Sequence, residues 1–351
     1  MRRRLAAAAG AAALFAACLA TLPGTAAGAA PGFAPINRPG PPLDIPRATL
    51  SAALHCSGGL AHSRGEPVLL NPATGVTPAQ NYSWNYERAF NQQHRAWCAI
   101  TVPHHTLGDI QIAGEYIVFG IRHMFHAAHR RIAILGHSQG GMSMRWALRW
   151  WPDTRAMVDD VIGMAGTNHG TTVAAFCKED VVECPPADWQ QATNANFIRA
   201  LNSRAETFAG ISYTEVFTHL DEVVQPSFPD ARASSALHTG AGRITNVATQ
   251  SICPADIDEH LTVGTIDPVT YALVMDALHH RGPASPARVD RSVCHRLYQP
   301  GVNPLYVQTY LQILAGAPGL LSVETPDFNL VGAPEAKREP ALRCYVFAAG
   351  C

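Results

Sequence analysis

Charge is scarce in this chain: of 351 residues only 15% are Asp, Glu, Lys or Arg, 26 basic against 27 acidic. A nucleic acid or an anionic membrane therefore finds no electrostatic foothold. Long apolar runs are equally rare, and past about residue 22 none approaches the roughly eighteen residues needed to cross a bilayer. There is no Cys-x-x-Cys pair, which removes zinc-ribbon and thioredoxin-like chemistry. There is also no Gly-x-x-x-x-Gly-Lys-Ser/Thr loop to cradle a phosphate, and no internal repeat to build a solenoid. No metal and no organic cofactor is expected. What is abundant is apolar residues, 47% of the chain, enough for a sizeable core and too many for disorder.

The chain opens with Met1 and three arginines, Arg2 to Arg4. An Ala/Leu-rich run follows from Leu5 to about Leu22, and then small residues ending Ala27-Gly28-Ala29-Ala30. This is the pattern of a secretory signal peptide over residues 1–30, so the mature protein is expected outside the cell without stable membrane insertion. A retained membrane anchor fits less well, because the run is alanine-dominated and an Ala-x-Ala site follows it. Lipoprotein processing at Cys18 would want a leucine where Phe15 stands. Without the three arginines, 23 basic residues face 27 acidic ones. Cys18 falls in the leader, and the other eight cysteines are an even number bound for an oxidising compartment, where disulfides are the default. Eight cysteines allow on the order of a hundred pairings. Nearest-neighbour order suggests Cys56 with Cys98, Cys177 with Cys184, Cys253 with Cys294, and Cys344 with Cys351.

Residues 31–50 hold six prolines and form an arm, either packed on the surface or mobile. From 51 to 351 the chain reads as a single catalytic domain. Short apolar runs at 67–70, 97–102, 131–135, 158–164, 213–218 and 244–249 alternate with helical patterns near 84–94, 109–129, 140–150, 189–201, 268–280 and 305–314. That alternation predicts an α/β fold, a mostly parallel, doubly wound sheet with helices on both faces.

One stretch is more specific than the rest. The apolar run Arg131–Leu135 leads into Gly136-His137-Ser138-Gln139-Gly140-Gly141, and a helical pattern continues to Trp150. Gly-x-Ser-x-Gly alone is a weak motif, but between a strand and a helix it is the setting of a nucleophile elbow. Gly136 and Gly140 are needed because a Cβ at either would strike neighbouring backbone on so sharp a turn. Ser138 would then project from the carboxyl edge of the sheet, with the Gln139 amide and the following helix N-terminus able to hold an oxyanion.

A serine hydroxyl is a poor nucleophile at neutral pH, so a base and an orienting acid are required downstream, in the order acid then histidine for this fold. The loop after the run 213–218 offers Asp221, with Glu222 and Asp230 as solvated neighbours. Among sixteen histidines, His260 lies between the last strand and a late helix; His238 comes too early, His279 and His280 sit inside a helix, and His295 lies beyond it.

With these residues in view the chain resembles the α/β-hydrolase lipase family related to Candida antarctica lipase B. The resemblance is carried by Pro67 to Gly75, Leu107 to Tyr116, the elbow, Asp188-Trp-Gln-Gln191, Asp221 to Pro226, and the pairs Cys56/Cys98 and Cys253/Cys294. It implies a secreted serine ester hydrolase acting on lipid or other carboxylic esters through Ser138, His260 and Asp221, with Gln139 and Thr74 as the oxyanion donors. Thr74 comes from the resemblance alone. Two departures stand out: the family's Pro-Gly-Thr-Gly reads Pro72-Ala73-Thr74-Gly75 here, placing a Cβ where a glycine is usual, and Thr167 stands where the yeast enzyme's pocket has an aspartate. The family also places a short flexible helix over the pocket mouth, which falls here on Phe176–Pro186; a Cys177–Cys184 bridge would pin it. An acyltransferase using the same acyl-enzyme, or a binding protein on a hydrolase scaffold, are the alternative functions.

Two decoys are set aside. His123, His126 and His129 drift round a helix with no carboxylate nearby, as surface histidines do. Trp146, Trp150 and Trp151 are expected to pack the elbow helix on the sheet rather than bind a ligand.

Overall fold

The computed structural model describes residues 32–308 and 334–350. The leader expected over residues 1–30, Cys351 and the part of the helix expected near 305–314 that follows residue 308 lie outside the described residues. Seven strands, β1 (Leu54–Cys56), β2 (Val68–Asn71), β3 (Trp97–Ile100), β4 (Ile132–His137), β5 (Val158–Met164), β6 (Ser212–Phe217) and β7 (Arg243–Ala248), form one sheet in the order β1-β3-β2-β4-β5-β6-β7. All pairings are parallel except β1 with β3. Helices along the chain are α1 (Arg47–Ala52), α2 (Pro78–Tyr82), α3 (Tyr86–Gln92), α4 (Ile110–Ala128), α5 (Gln139–Trp150), α6 (Pro186–Gln190), α7 (Asn196–Leu201), α8 (His260–Val263) and α9 (Pro268–His279).

Every residue of β2, β3, β4 and β6 is buried, as befits strands covered on both faces. Alternate side chains feed two cores. Leu69, Ile132, Ile134 and Val161 meet α4 and α5 on one face; Leu70, Ala133, Leu135 and Ile162 meet Phe90 of α3 and Leu273 and Val274 of α9 on the other. Trp146 stacks on Phe197 with ring centroids 4.2 Å apart and donates its indole N–H to the Tyr345 hydroxyl at 3.0 Å. Trp150 and Trp151 flank the same Tyr345, so the tryptophans of the elbow helix are packing residues. His123, His126 and His129 are exposed.

One local expectation is corrected, and two features that the sequence did not announce are present. The helix expected at 189–201 is two helices, because the Gln191 carbonyl accepts the Thr171 N–H at 2.7 Å instead of a donor from its own next turn. The short strand β1 had no periodicity to announce it; it is held at the sheet edge by the register pair Cys56↔Cys98, which is also a disulfide. The stretch His260–His279 has the length and mean hydropathy of a spanning helix, yet 78% of its window is buried inside the fold and it is divided into α8 and α9. The Pro-rich stretch from residue 32 is packed: the Ala34 N–H reaches the Val346 carbonyl at 2.9 Å, Arg149 donates to the Ala34 carbonyl at 2.7 Å, and the Trp151 indole donates to the Pro41 carbonyl at 2.9 Å.

From β2 the chain steps to β3 on one side and then returns to β4 on the other, so the order reverses between β2 and β4. In open α/β sheets the crevice beyond the carboxyl ends of such strands is where ligands bind. Asn71–Thr74 and Gly136–Ser138 leave the sheet at that point.

Candidate active site

Ser138 follows β4 directly and stands at the N-terminal end of α5 with φ 55° and ψ −125°, a left-handed backbone uncommon for a side-chain-bearing residue. Its N–H is tied to the Met164 carbonyl at 2.8 Å and its carbonyl takes the Gly141 N–H at 2.9 Å. The turn is as tight as the motif implied. A Cβ on Gly136 would lie 2.3 Å from the Gly140 carbonyl carbon, and one on Gly140 2.3 Å from the Asn71 oxygen.

The structure brings Ser138, His260 and Asp221 into one line. His260 Nε2 is 3.0 Å from Ser138 Oγ, and His260 Nδ1 is 2.9 Å from Asp221 Oδ2. All three are buried, Asp221 at 1% exposure. Asp221 sits in the turn after β6, where its other oxygen, Oδ1, accepts the N–H groups of Val223 (2.9 Å) and Val224 (2.6 Å). That arrangement fixes which oxygen faces the histidine. His260 is the first residue of α8 rather than a loop residue; Glu259 caps the helix by accepting from Leu261 N (2.7 Å) and Thr262 N (3.1 Å).

His137 backs this line from behind. Its Nε2–H donates to the His260 carbonyl at 2.9 Å, while Asn81 Nδ2 lies 3.4 Å from its Nδ1, so the ring is the neutral Nε2–H tautomer. Burial pulls its pKa down to about 3, which keeps it uncharged. Asn81 in turn accepts the Ala73 N–H on its Oδ1 at 2.9 Å. Neither residue was singled out from the sequence. The signal for Asn81 was Thr77-Pro78-Ala79-Gln80, a capping box that starts α2 and so presents Asn81 at a fixed point.

Thr74 and Gln139 also meet. The Thr74 hydroxyl donates to Gln139 Oε1 at 2.8 Å, and Gln191 Nε2 donates to both oxygens, at 3.1 and 3.2 Å. Gln191 Oε1 then accepts from the Thr167 hydroxyl at 3.0 Å. The backbone N–H of Gln139 has no acceptor among the described residues. Ala73 does not adopt a positive φ, so its Cβ is accommodated without left-handed backbone.

Ser138 and His260 open into a cavity of about 600 Å³, lined by Ala73, Thr74, Trp84, Thr167, Val173, Phe176, Asp188, Gln191, Val223, Val224 and Leu261 among others. At the mouth, the chain from Thr172 to Cys184 is a 3₁₀ turn followed by a loop, not the short helix the family places there. The disulfide Cys177–Cys184 closes it, and the reciprocal backbone bonds of Cys184 and Ala336 (3.1 and 2.8 Å) fasten it to a second segment. Cys253–Cys294 is also formed; Cys344 is disulfide-bonded, and the partner expected for it, Cys351, is outside the described residues.

Two acidic trios, Glu66/Asp159/Asp160 and Asp256/Asp258/Asp267, place oxygens within 4.8 Å of one another and could hold a cation. Neither includes Ser138, Asp221 or His260. Asp159 is already paired with Arg131 at 2.8 Å, and Asp267 caps α9 through Val269 and Thr270.

No family model matches the chain. It is similar to lipase B of Pseudozyma antarctica, with 28% identity over 316 residues, 88% of each chain. It is also similar to the crystal structure of Aspergillus fumigatus lipase B, at 28% identity and a TM-score of 0.73, covering 91% of this chain and 76% of that one. The sheet order, its reversal point and this likeness make the fold that of an α/β-hydrolase.

Proposed function

We propose that this α/β-hydrolase, a lipase or carboxylesterase by its likeness to the two lipases B, cleaves carboxylic esters through an acyl-enzyme on Ser138. His260 Nε2 takes the serine proton as Oγ attacks the ester carbonyl. Asp221 holds the ring with its proton on Nδ1 and stabilises the imidazolium, which then protonates the leaving alcohol. Water deacylates the enzyme by the same route in reverse. The Gln139 N–H and the Thr74 backbone and hydroxyl stabilise the tetrahedral oxyanion. For that role the Thr74 hydroxyl turns away from Gln139 Oε1, exchanging a bond worth about 1 kcal/mol for one to a developing charge. Every role is filled by the chain's own groups, and the reading invokes no metal or organic cofactor.

The observation that carries the reading is the pair of contacts at 3.0 and 2.9 Å joining Ser138, His260 and Asp221 at the floor of a largely apolar cavity. The test is rapid mixing with p-nitrophenyl butyrate. An acyl-enzyme that forms faster than it hydrolyses gives a burst of p-nitrophenol stoichiometric with enzyme before the steady state. A protein that leaves p-nitrophenyl esters from acetate to palmitate intact is not this enzyme.

We further propose that residues 1–30 are removed on export and that the chain from 51 onward is one catalytic domain working outside the cell. The disulfides fit an oxidising, extracellular compartment. The loop at the mouth carries exposed Val173, Phe176 and Val181, but the Cys177–Cys184 bridge closes its two ends, and the Asp180 N–H to the Lys337 carbonyl at 3.0 Å, with the ion pair of Arg338 and Asp180, holds its middle. A loop so restrained has little opening to be driven by a lipid surface. Activity on tributyrin is therefore expected to rise smoothly through its solubility limit; a sharp jump there would show that the loop moves.

A further inference from the structure

Among the described residues, three carboxylates line the cavity, Asp188, Glu222 and Glu259, and no lysine or arginine does. Two of them have backbone donors: Glu259 takes two amides at the start of α8, and Glu222 takes the His260 N–H at 3.4 Å. Asp188 differs. Among the described residues, no donor and no cation lies within bonding distance of its carboxylate. It is half-buried in α6 and lines the cavity together with Val173, Ala174 and Phe176, and burial pushes its pKa up to about 6. A carboxylate that has lost part of its water and gained no donor is a cost that a ligand can offset.

The position of Asp188 says which part of an ester would reach it. Gln191 is three residues further along and shares a face with Asp188; its side chain holds Thr74 and Gln139 at the carbonyl-binding end of the site. The leaving oxygen must lie beside His260 Nε2 to receive a proton, so the acyl chain departs the other way, along the wall of Thr167, Asp188 and Gln191. We infer that Asp188 selects esters whose acyl chain carries a hydroxyl group, accepting that hydroxyl's proton as a hydrogen bond; this rests on the Ser138 acyl-enzyme proposed above. A plain alkyl chain would cover the carboxylate and give it no partner.

The test is kcat/KM for p-nitrophenyl hexanoate, 3-hydroxyhexanoate and 6-hydroxyhexanoate, the two hydroxyl positions sampling different reach. At least one hydroxy ester is expected to be favoured over hexanoate by about tenfold, the discrimination that one charge-assisted hydrogen bond in a partly solvated site provides. Asp188→Val should bring that ratio to about one and speed up hexanoate itself. Asp188→Asn, which keeps the shape and an acceptor without the charge, should fall between, and it carries the test alone if the valine variant does not fold. Ratios near one for both hydroxy esters in the unaltered enzyme, or a preference that survives Asp188→Val, overturn the assignment. Failure of the underlying reading looks different: Ser138→Ala would hydrolyse all three esters, whatever their ratios.

Discussion

Ser138→Ala is expected to lower kcat on p-nitrophenyl butyrate by about a millionfold and to abolish the burst, since removing the nucleophile of such a triad costs about as much as removing the whole of it. What is left is His260 activating water directly, aided by whichever oxyanion donors still face the carbonyl, a residue of about a thousandfold over the uncatalysed reaction. The fold should hardly notice. Ser138 makes no side-chain cap to α5, and its Oγ bonds to His260 alone. Alanine at φ 55° is strained as serine is, so the stability change should stay below about 1 kcal/mol. Steady-state hydrolysis, burst amplitude and a thermal melt on one preparation separate these effects. A variant that melts normally and still hydrolyses the ester at the parent rate refutes the role given to Ser138.

Asp221→Asn is expected to cost about ten thousandfold in kcat with little change in KM, and the reason is a proton in the wrong place. The amides of Val223 and Val224 both point at Oδ1, so an asparagine would settle with its carbonyl oxygen there and turn its NH₂ toward His260 Nδ1. Nδ1 would then have to accept. The neutral ring would carry its hydrogen on Nε2, facing Ser138, where it could no longer take the serine proton. Asp221→Ala, free of that misdirection but lacking an orienting group, should fall by a similar or smaller factor. NMR of the ring nitrogens at neutral pH would report the tautomer directly. An Asp221→Asn enzyme with near-parental kcat would mean that the carboxylate does not set the ring.

The parts of this site that could be read from sequence are those with strong local constraints. The elbow was legible because a strand, two obligatory glycines and a helix fall in consecutive residues, and the clashes at Gly136 and Gly140 are the physical content of that pattern. Asp221 and His260 were reachable through chain order and the loops that precede α8 and follow β6. α4 was legible to within a residue, since Asp109 caps its start and His129, at φ 53°, ends it. The misses are tertiary in origin. α6 and α7 separate because the Gln191 carbonyl is taken by the Thr171 N–H, and nothing in the composition of 189–201 reports a partner outside that stretch. The three residues of β1 are too few to show a period. Asn81 and His137 looked like ordinary polar residues until the fold brought Ala73 and His260 to either side of them.

That last arrangement means that two halves of the chemistry cannot drift apart. Asn81 grips the loop bearing Thr74 with its oxygen and steadies His137 with its nitrogen, and His137 passes the hold to the carbonyl of His260. The cradle for negative charge and the shuttle for protons are thus bolted to a common bracket, and any slack in one is felt by the other.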